Sequence, residues 1–219
     1  MTGQATPFHA GERAVQSRLG VRESIEPWAR KVVRSFLPEE HREFYAALPF
    51  LVLAARDERG RPWVSLVAGR PGFATSPDAS ALRIRASLAA GDGLEHALED
   101  GAKLGILGIE LATRRRNRLN GRVARTDGPG FAVEVEQSFG NCPQYIRERE
   151  WRIAEPQAAA RVGDRHSALS REMSAWIEAA DTFFIGSGFE GDADDPRSGM
   201  DASHRGGEPG FIRVENDRT

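Results

Sequence analysis

Apolar residues in the first 49 positions recur at helical spacing, every three to four residues. The first group consists of Trp28, Val32, Val33 and Phe36. Pro38 then opens a second helix, because proline suits the first turn, and Phe44 and Leu48 fall on one face of it. The pattern predicts a helical lead-in over residues 1–49.

From Phe50 onward the pattern changes to that of β-strands. An apolar run over 50–54, a turn over 57–60 and an apolar segment over 63–68 predict a hairpin. Further strands are predicted over 82–85, 104–111, 117–125 and 131–136, with a short helix over 93–100. The expected fold class is α+β, mainly β and antiparallel, and 50–146 is expected to form its first barrel-like unit.

The remainder of the chain begins a second unit. Residues 147–166 are charged and Ala-rich, which is typical of a linker, and the following amphipathic helix completes a connection over 147–180. A strand is predicted over 181–188, a polar loop over 190–199 and another strand-like segment over 200–214. We expect 181–219 to be an incomplete second unit.

An internal repeat supports this division. The segments 65–73 and 203–211 both have the pattern S-x-x-x-G-x-P-G-F, with five fixed positions in nine. Each is preceded by a helix and an apolar strand, so the chain contains two copies of a helix-plus-hairpin unit. The alternative is a recurrent hairpin with Gly and Pro corners. The second copy lacks a counterpart of residues 82–139, which predicts open sheet edges that a partner or further chain must cover.

Composition narrows the function classes. The chain has 219 residues and a formal net charge of −2, which gives no global attraction to nucleic acid or to anionic lipid. Its basic residues are almost all arginines, since Lys31 and Lys103 are the two lysines. With Cys142 alone there is no internal disulfide and no multi-cysteine metal site, so no metal is expected. No signal peptide or membrane span is evident in the pattern, so we expect a cytoplasmic protein.

The strongest polar pattern lies in residues 113–123. Strand alternation places Arg116, Arg118, Asn120 and Arg122 on one face, with Leu119 on the opposite, core-facing side. Guanidinium groups in this arrangement suit a phosphate or carboxylate. The alternative is a solvated face that is neutralised by acidic residues of the neighbouring strand. Nucleic-acid binding by these arginines is a third and weaker hypothesis, which strong salt dependence would reveal.

Two further segments are candidates for ligand binding. Residues 137–146 carry no charge but combine amides, a hydroxyl and two aromatic rings, which suits a planar heteroaromatic ring. An ordered corner after a strand explains that segment equally well. The segment 203–207 is polar and Gly-rich, whereas its counterpart 65–69 is mostly apolar, which indicates that the second copy is the binding copy. A surface strand with a bulge explains the segment equally well. The G-x-G-x-x-G match over 186–191 is discounted, because Asp and Pro follow it instead of a helix.

These motifs together resemble the pyridoxamine 5′-phosphate oxidase-related family of FMN-binding split barrels. The most specific segments are 117–122, 137–146 and 203–211, and the similarity begins at Pro7. The resemblance implies a six-stranded antiparallel split barrel, with FMN held between barrels and usually in a homodimer. In a two-repeat chain the two copies can take the place of the two subunits. Family members continue with further strands beyond the 211–219 segment.

The resemblance also implies the positions of the cofactor contacts. The FMN phosphate and ribityl chain would be approached by Ser203, His204, Arg205 and Gly207. From the other side the cofactor would be approached by Asn120, Arg122, Ser138 and Asn141. No residue stands out as catalytic. The implied partners are flavin, a small-molecule substrate and a second copy of the chain, with a redox partner domain or protein also possible.

Two functions follow from these expectations. The first is an FMN-dependent oxidoreductase, or the flavin-binding module of one, in which the flavin performs the redox chemistry. The second is a non-enzymatic split-barrel module that binds haem or a carried flavin, or that only mediates dimerisation. Family membership alone does not decide the substrate.

Overall fold

A computed structural model describes residues 6–126, 128–152, 166–191, 195 and 197–217. The helices within this part of the chain are α1 (Ala10–Arg18), α2 (Arg22–Val32), α3 (Glu39–Ala47) and α4 (Arg171–Glu178). The strands are β1 (Phe50–Arg56), β2 (Pro62–Ala68), β3 (Ala74–Thr75), β4 (Ala81–Ile84), β5 (Lys103–Glu110), β6 (Arg115–Ala124), β7 (Phe131–Gly140), β8 (Thr182–Phe189) and β9 (Gly199–Gly206). The predicted α+β, mainly β composition is confirmed.

The first seven strands form one antiparallel sheet that curls into a half-barrel. Their order is β2-β1-β5-β6-β7-β4-β3. Helix α3 packs inside the curl, where Phe44 and Tyr45 join the main core with Leu51 and Leu53 of β1. Because β6 alternates, Leu119 enters this core while Arg116, Arg118 and Arg122 of the same strand lie on the outer face.

The hairpin β8–β9 packs on the outer face of the same sheet. A small second core joins Val52, Ala54 and Leu107 of the sheet to Ala202 of β9. The two backbones are close, because a Cβ at Gly105 would lie 2.5 Å from the Met200 carbonyl oxygen. Glycine is therefore needed at this position of β5 for the hairpin to settle on the sheet.

The two copies of the repeat have the same backbone hydrogen bonds. The amide of Gly69 donates to the Pro49 carbonyl at 3.0 Å, and the amide of Gly207 donates to the Asp181 carbonyl at 3.0 Å. In the corner that follows, Gly72 has a φ of 94° and Gly210 a φ of 90°. The equivalence extends to the start of the units, where the Leu37 amide donates to Ala79 at 2.7 Å and the Leu169 amide to Asp217 at 2.6 Å.

The two copies differ in what covers them. In the first copy Phe44 is 4% exposed and Phe73 is 6% exposed, because β4 to β7 close the core over them. Their counterparts in the second copy, Trp176 and Phe211, are 81% and 40% exposed. Within the described residues, β8 pairs with β9 alone, so its other edge has no strand partner.

Two details of the strand prediction are corrected. The sheet has seven strands rather than six, because Ala74–Thr75 pairs with β4 although two residues are too short to show alternation. The strand-like segment predicted over 200–214 ends at Gly206, since a turn follows in which the Phe211 amide donates to the Glu208 carbonyl at 3.0 Å. The G-x-G-x-x-G match lies mostly within β8, as a strand.

The helix predictions also need correction. Residues 93–100 form successive turns instead of a short helix, and the Asp92 carboxylate accepts the Leu94 amide at 2.8 Å at their start. Helix α2 ends at Val32, so Phe36 is outside it. Most of the predicted linker, 153–165, and positions 192–194 and 196 of the predicted loop lie outside the described residues. No helix in the described part of the chain has the length and apolar character to cross a membrane.

Candidate functional site

Polar side chains of β6 meet the second hairpin at one place on the outer face of the sheet. Arg118 donates to the Asp201 carboxylate at 2.8 Å, and the Ser203 hydroxyl donates to the same carboxylate at 3.0 Å. In the orientation that satisfies both ends of its amide, Asn120 donates to the Met200 carbonyl at 3.2 Å. The alternation of β6 directs its polar side chains to this junction.

His204 is the most deeply buried polar residue of the junction, with 2% of its surface exposed. The Arg116 guanidinium lies 3.2 Å from His204 Nδ1, and since a guanidinium only donates, Nδ1 accepts and Nε2 carries the proton. Burial, and then the positive charge of Arg116, lower the pKa of His204 to about 4. The imidazole is therefore neutral near pH 7, with a buried Nε2–H that has no acceptor.

The junction carries more positive than negative charge. Arg118 is paired with Asp201, but neither Arg116 nor Arg205 forms a salt bridge within the described part of the chain. Burial lowers the pKa of Arg116, and the charges of Arg118 and Arg205 lower it further. The buried Nε–H groups of Arg116 and Arg118 also lack an acceptor. With His204 Nε2, the junction has three buried hydrogen-bond donors without an acceptor. An anion would accept these hydrogen bonds and would also balance the excess positive charge.

The segment after β7 closes one side of the junction. A Cβ at Gly206 would lie 2.1 Å from the Tyr145 carbonyl oxygen, so this loop packs directly on the end of β9. Arg147 secures the contact by donating to the Gly207 carbonyl at 3.2 Å. The backbone amide of Asn141 donates to the Arg116 carbonyl at 3.1 Å, and the buried side-chain oxygen of Asn141 has no partner. The loop thus presents an unused acceptor next to the arginines.

A cavity of about 440 Å³ adjoins the junction. One wall is the N-terminal segment with α1 and α2, the second is the outer face of β6 and β7, and the third is the end of the β8–β9 hairpin. Arg118, Asn120, Asn141 and Asp201 belong to both the junction and the cavity wall. Its size is that of a small-molecule site.

The structure brings together most of the residues predicted as cofactor contacts. Ser203, His204 and Arg205 lie on β9, Asn120 faces them from β6, and Gly207 and Asn141 flank the junction. The sequence prediction omitted Asp201 from the site, although it lies two positions before Ser203 on the same strand. The cavity wall formed by the N-terminal segment was not predicted either.

Two predicted contacts are occupied by other partners. Ser138 is fully buried on the core side of β7, where its hydroxyl is 2.9 Å from His41 Nδ1. It faces inward because a β-bulge, in which Glu136 is the extra residue, shifts the alternation of β7 by one position after the inward-facing Val135. Arg122 donates to the Glu136 carboxylate at 2.7 Å, beyond a β-bulge after Asn120. Among the described residues there is no group of three or more His, Cys, Asp or Glu arranged to hold a metal ion.

Comparison with known proteins gives a family and a likeness to a solved structure. A family described as pyridoxamine 5′-phosphate oxidase matches residues 37–165, which is more than half of the chain. No curated protein sequence gives a significant match. The crystal structure of a HupZ variant from Group A Streptococcus is 15% identical and covers 48% of this chain and 99% of its own, with a TM-score of 0.37.

Proposed function

The chain belongs to the pyridoxamine 5′-phosphate oxidase family, and on that premise we propose that it binds FMN at the junction of β6 and β9. We further propose that it is a flavin-dependent oxidoreductase or the flavin-binding module of one. The observation that carries the proposal is the excess of buried, unsatisfied donors on Arg116, Arg118 and His204. A phosphate monoester supplies about two negative charges and three acceptor oxygens, which suits such a cluster.

The residues present fit this cofactor. Arg116, Arg205 and His204 Nε2 would hold the phosphate, since none of them has a carboxylate partner in the described chain. The uncharged loop over 141–146 would offer amide and aromatic contacts to the ring system. When bound, FMN supplies one- and two-electron redox chemistry, and the protein's part is to bind and orient it.

A visible absorption spectrum of the purified protein is the first test, followed by titration with FMN and with riboflavin, which lacks the phosphate. The protein is expected to prefer FMN by at least about tenfold, because one hydrogen bond to a charged group contributes about 1.5–3 kcal/mol. Arg116→Ala and Arg205→Ala should remove most of this preference. Arg213→Ala is the matched control, because Arg213 is an exposed arginine paired with Glu215.

Two results would contradict the proposal. One is a folded protein that remains colourless and ignores added FMN, and the other is an Arg205→Ala variant that keeps the full preference for FMN over riboflavin. Bound flavin that no nicotinamide or other electron donor reduces would favour the non-enzymatic alternative, a protein that only carries flavin.

We also propose a homodimer. The apolar side chains of the second copy, such as Trp176 and Phe211, remain exposed in the single chain, and a second copy could cover them. Light scattering on the purified protein measures this directly, and a monomer at all accessible concentrations would refute it. A small-molecule substrate and a redox partner complete the proposed set of partners.

A further inference from the structure

The cavity next to the junction, here called the N-terminal cavity, has an aromatic lining. Phe8 and Trp28 contribute from the N-terminal segment, Phe139 from β7 and Phe189 from β8. The ring of His9 stacks on Phe189 with 4.1 Å between the ring centroids and 10° between the planes, which ties the N-terminal segment to the hairpin. The N-terminal cavity is thus bounded by three separate parts of the chain.

Four of the five charged side chains that line this wall form ion pairs within the chain. Each of the five has a partner: Arg118 with Asp201 at 2.8 Å, Arg197 with Asp195 at 2.7 Å, Glu136 with Arg122 at 2.7 Å, and Glu12 with the His9 backbone amide at 2.9 Å. The N-terminal cavity therefore differs from the neighbouring junction, where Arg116 and Arg205 have no carboxylate partner. A charged ligand would have to displace existing ion pairs, which carries a large desolvation cost.

Two polar side-chain atoms in the wall of the N-terminal cavity have no hydrogen-bond partner. Arg118 Nε and Asn141 Oδ1 are buried without partners, and both residues line the N-terminal cavity. These atoms offer one donor and one acceptor beside the aromatic surface. They suit a carbonyl or hydroxyl group at the edge of a flat ring.

We propose that the N-terminal cavity binds a flat, uncharged aromatic molecule of one or two fused rings that carries a carbonyl or hydroxyl group. The N-terminal cavity adjoins the phosphate-binding junction and shares Arg118, Asn120, Asn141 and Asp201 with it, but the proposed binding does not require that flavin be bound. If the chain is an oxidoreductase, as proposed above, this molecule belongs to the class of its substrate.

Calorimetric titration of the flavin-free protein tests the proposal with 2-naphthol and 2-naphthyl phosphate, which share a ring system and differ in charge. The naphthol should bind at least about tenfold more tightly than its phosphate ester. Gly199→Leu should lower its affinity by about tenfold or more, because Gly199 lines the cavity and a Cβ there meets no atom within 4 Å. The added side chain then fills space without a clash.

A pair of tryptophan variants gives the matched control. Trp28→Ala should weaken 2-naphthol binding several-fold, because Trp28 lines the cavity and is 55% exposed, so its loss leaves the fold intact. Trp176→Ala, which removes an exposed tryptophan on α4 outside the cavity wall, should leave the affinity unchanged. Thermal unfolding of each variant checks that it is folded.

Three outcomes would overturn the proposal. They are no heat of binding at about 1 mM naphthol, equal affinities for the two probes, and an unchanged affinity in Gly199→Leu. Displacement of 2-naphthol by saturating FMN would also overturn it, because the cavity would then belong to the flavin. A protein that binds 2-naphthol but not FMN would refute the proposed function and would still support the proposed aromatic site.

Discussion

Two substitutions at equivalent positions of the repeat, Phe44→Ala and Trp176→Ala, test whether the second helix–hairpin unit has only part of a core. Both residues lie on the helix that precedes the hairpin, five positions before the residue whose carbonyl accepts the amide of Gly69 or Gly207. Phe44 is 4% exposed, packs beside Tyr45 with 5.7 Å between ring centroids, and lies beneath the Arg115 guanidinium at 5.2 Å. Trp176 is 81% exposed.

The expected magnitudes differ several-fold. Truncating a buried aromatic residue to alanine costs about 3–5 kcal/mol, so Phe44→Ala should remove a large share of a stability of about 5–15 kcal/mol. Trp176 buries only about a fifth of its surface, so its truncation should cost less than about 1 kcal/mol. For a chain of this length, about 1 kcal/mol shifts Tm by roughly 2–4 °C.

Urea unfolding followed by far-ultraviolet circular dichroism measures both losses under one set of conditions, with thermal unfolding as a second measure. We expect Phe44→Ala to lower Tm by about 6–20 °C and Trp176→Ala by less than about 4 °C. Equal losses would refute the reasoning, because they would mean that α4 is covered in solution as completely as α3. A loss at Trp176 that depends on protein concentration would place a second copy over it.

The remaining predictions concern the junction and the hairpin. The pKa of His204 is lowered to about 4, so between about pH 6.5 and 4 the histidine is protonated in the unfolded state but not in the folded one. The free energy of unfolding should therefore fall by at most about 3 kcal/mol as pH drops through this range. His204→Gln should flatten this part of the profile of unfolding free energy against pH. Gly105→Val should speed amide hydrogen exchange in β9 and spare β1, because the Met200 carbonyl would lie 2.5 Å from the new Cβ; unchanged exchange would contradict the packing. Asp201→Asn should tighten FMN binding about fivefold in calorimetry at low salt, because it removes a carboxylate whose negative charge repels the phosphate. Weaker binding would contradict this and would mean that Asp201 chiefly positions Arg118.

The repeat was predictable from sequence because its signature residues act locally. Gly72 and Gly210 both take a positive φ at the corner, and a Cβ at Gly69 or Gly207 would lie 2.6 Å from the phenylalanine four positions later. Such requirements are met within one turn of chain, so they remain visible as fixed letters. The two-residue strand β3 depends instead on pairing with β4, so periodicity does not indicate it.

The junction was predictable only in part, for a similar reason. Alternation along β6 places Arg116, Arg118 and Asn120 on one face, and this follows from the strand period alone. The partners of that face come from residues more than 80 positions away, and only packing of the second hairpin against the sheet brings Asp201 and His204 there. Ser138 was misplaced because a β-bulge at Glu136, which periodicity does not indicate, shifts the alternation of β7 and turns the Ser138 side chain toward His41.

The two copies of the unit share a backbone and differ in chemistry. His204 and Arg205 occupy the positions of Leu66 and Val67, and the first copy buries Val67 in the main core. An arginine buried without a partner at the position of Val67 would destabilise the fold by several kcal/mol. The first copy therefore cannot place an anion-binding arginine at this position while the position is part of the main core. In the second copy the same position is exposed because no further strands in the described chain cover it. The exposed apolar side chains of the second copy and the exposed position of Arg205 therefore have one cause, the absence of covering strands within the described chain. In the proposed function, His204 and Arg205 of this copy add to the arginines that β6 supplies from the first.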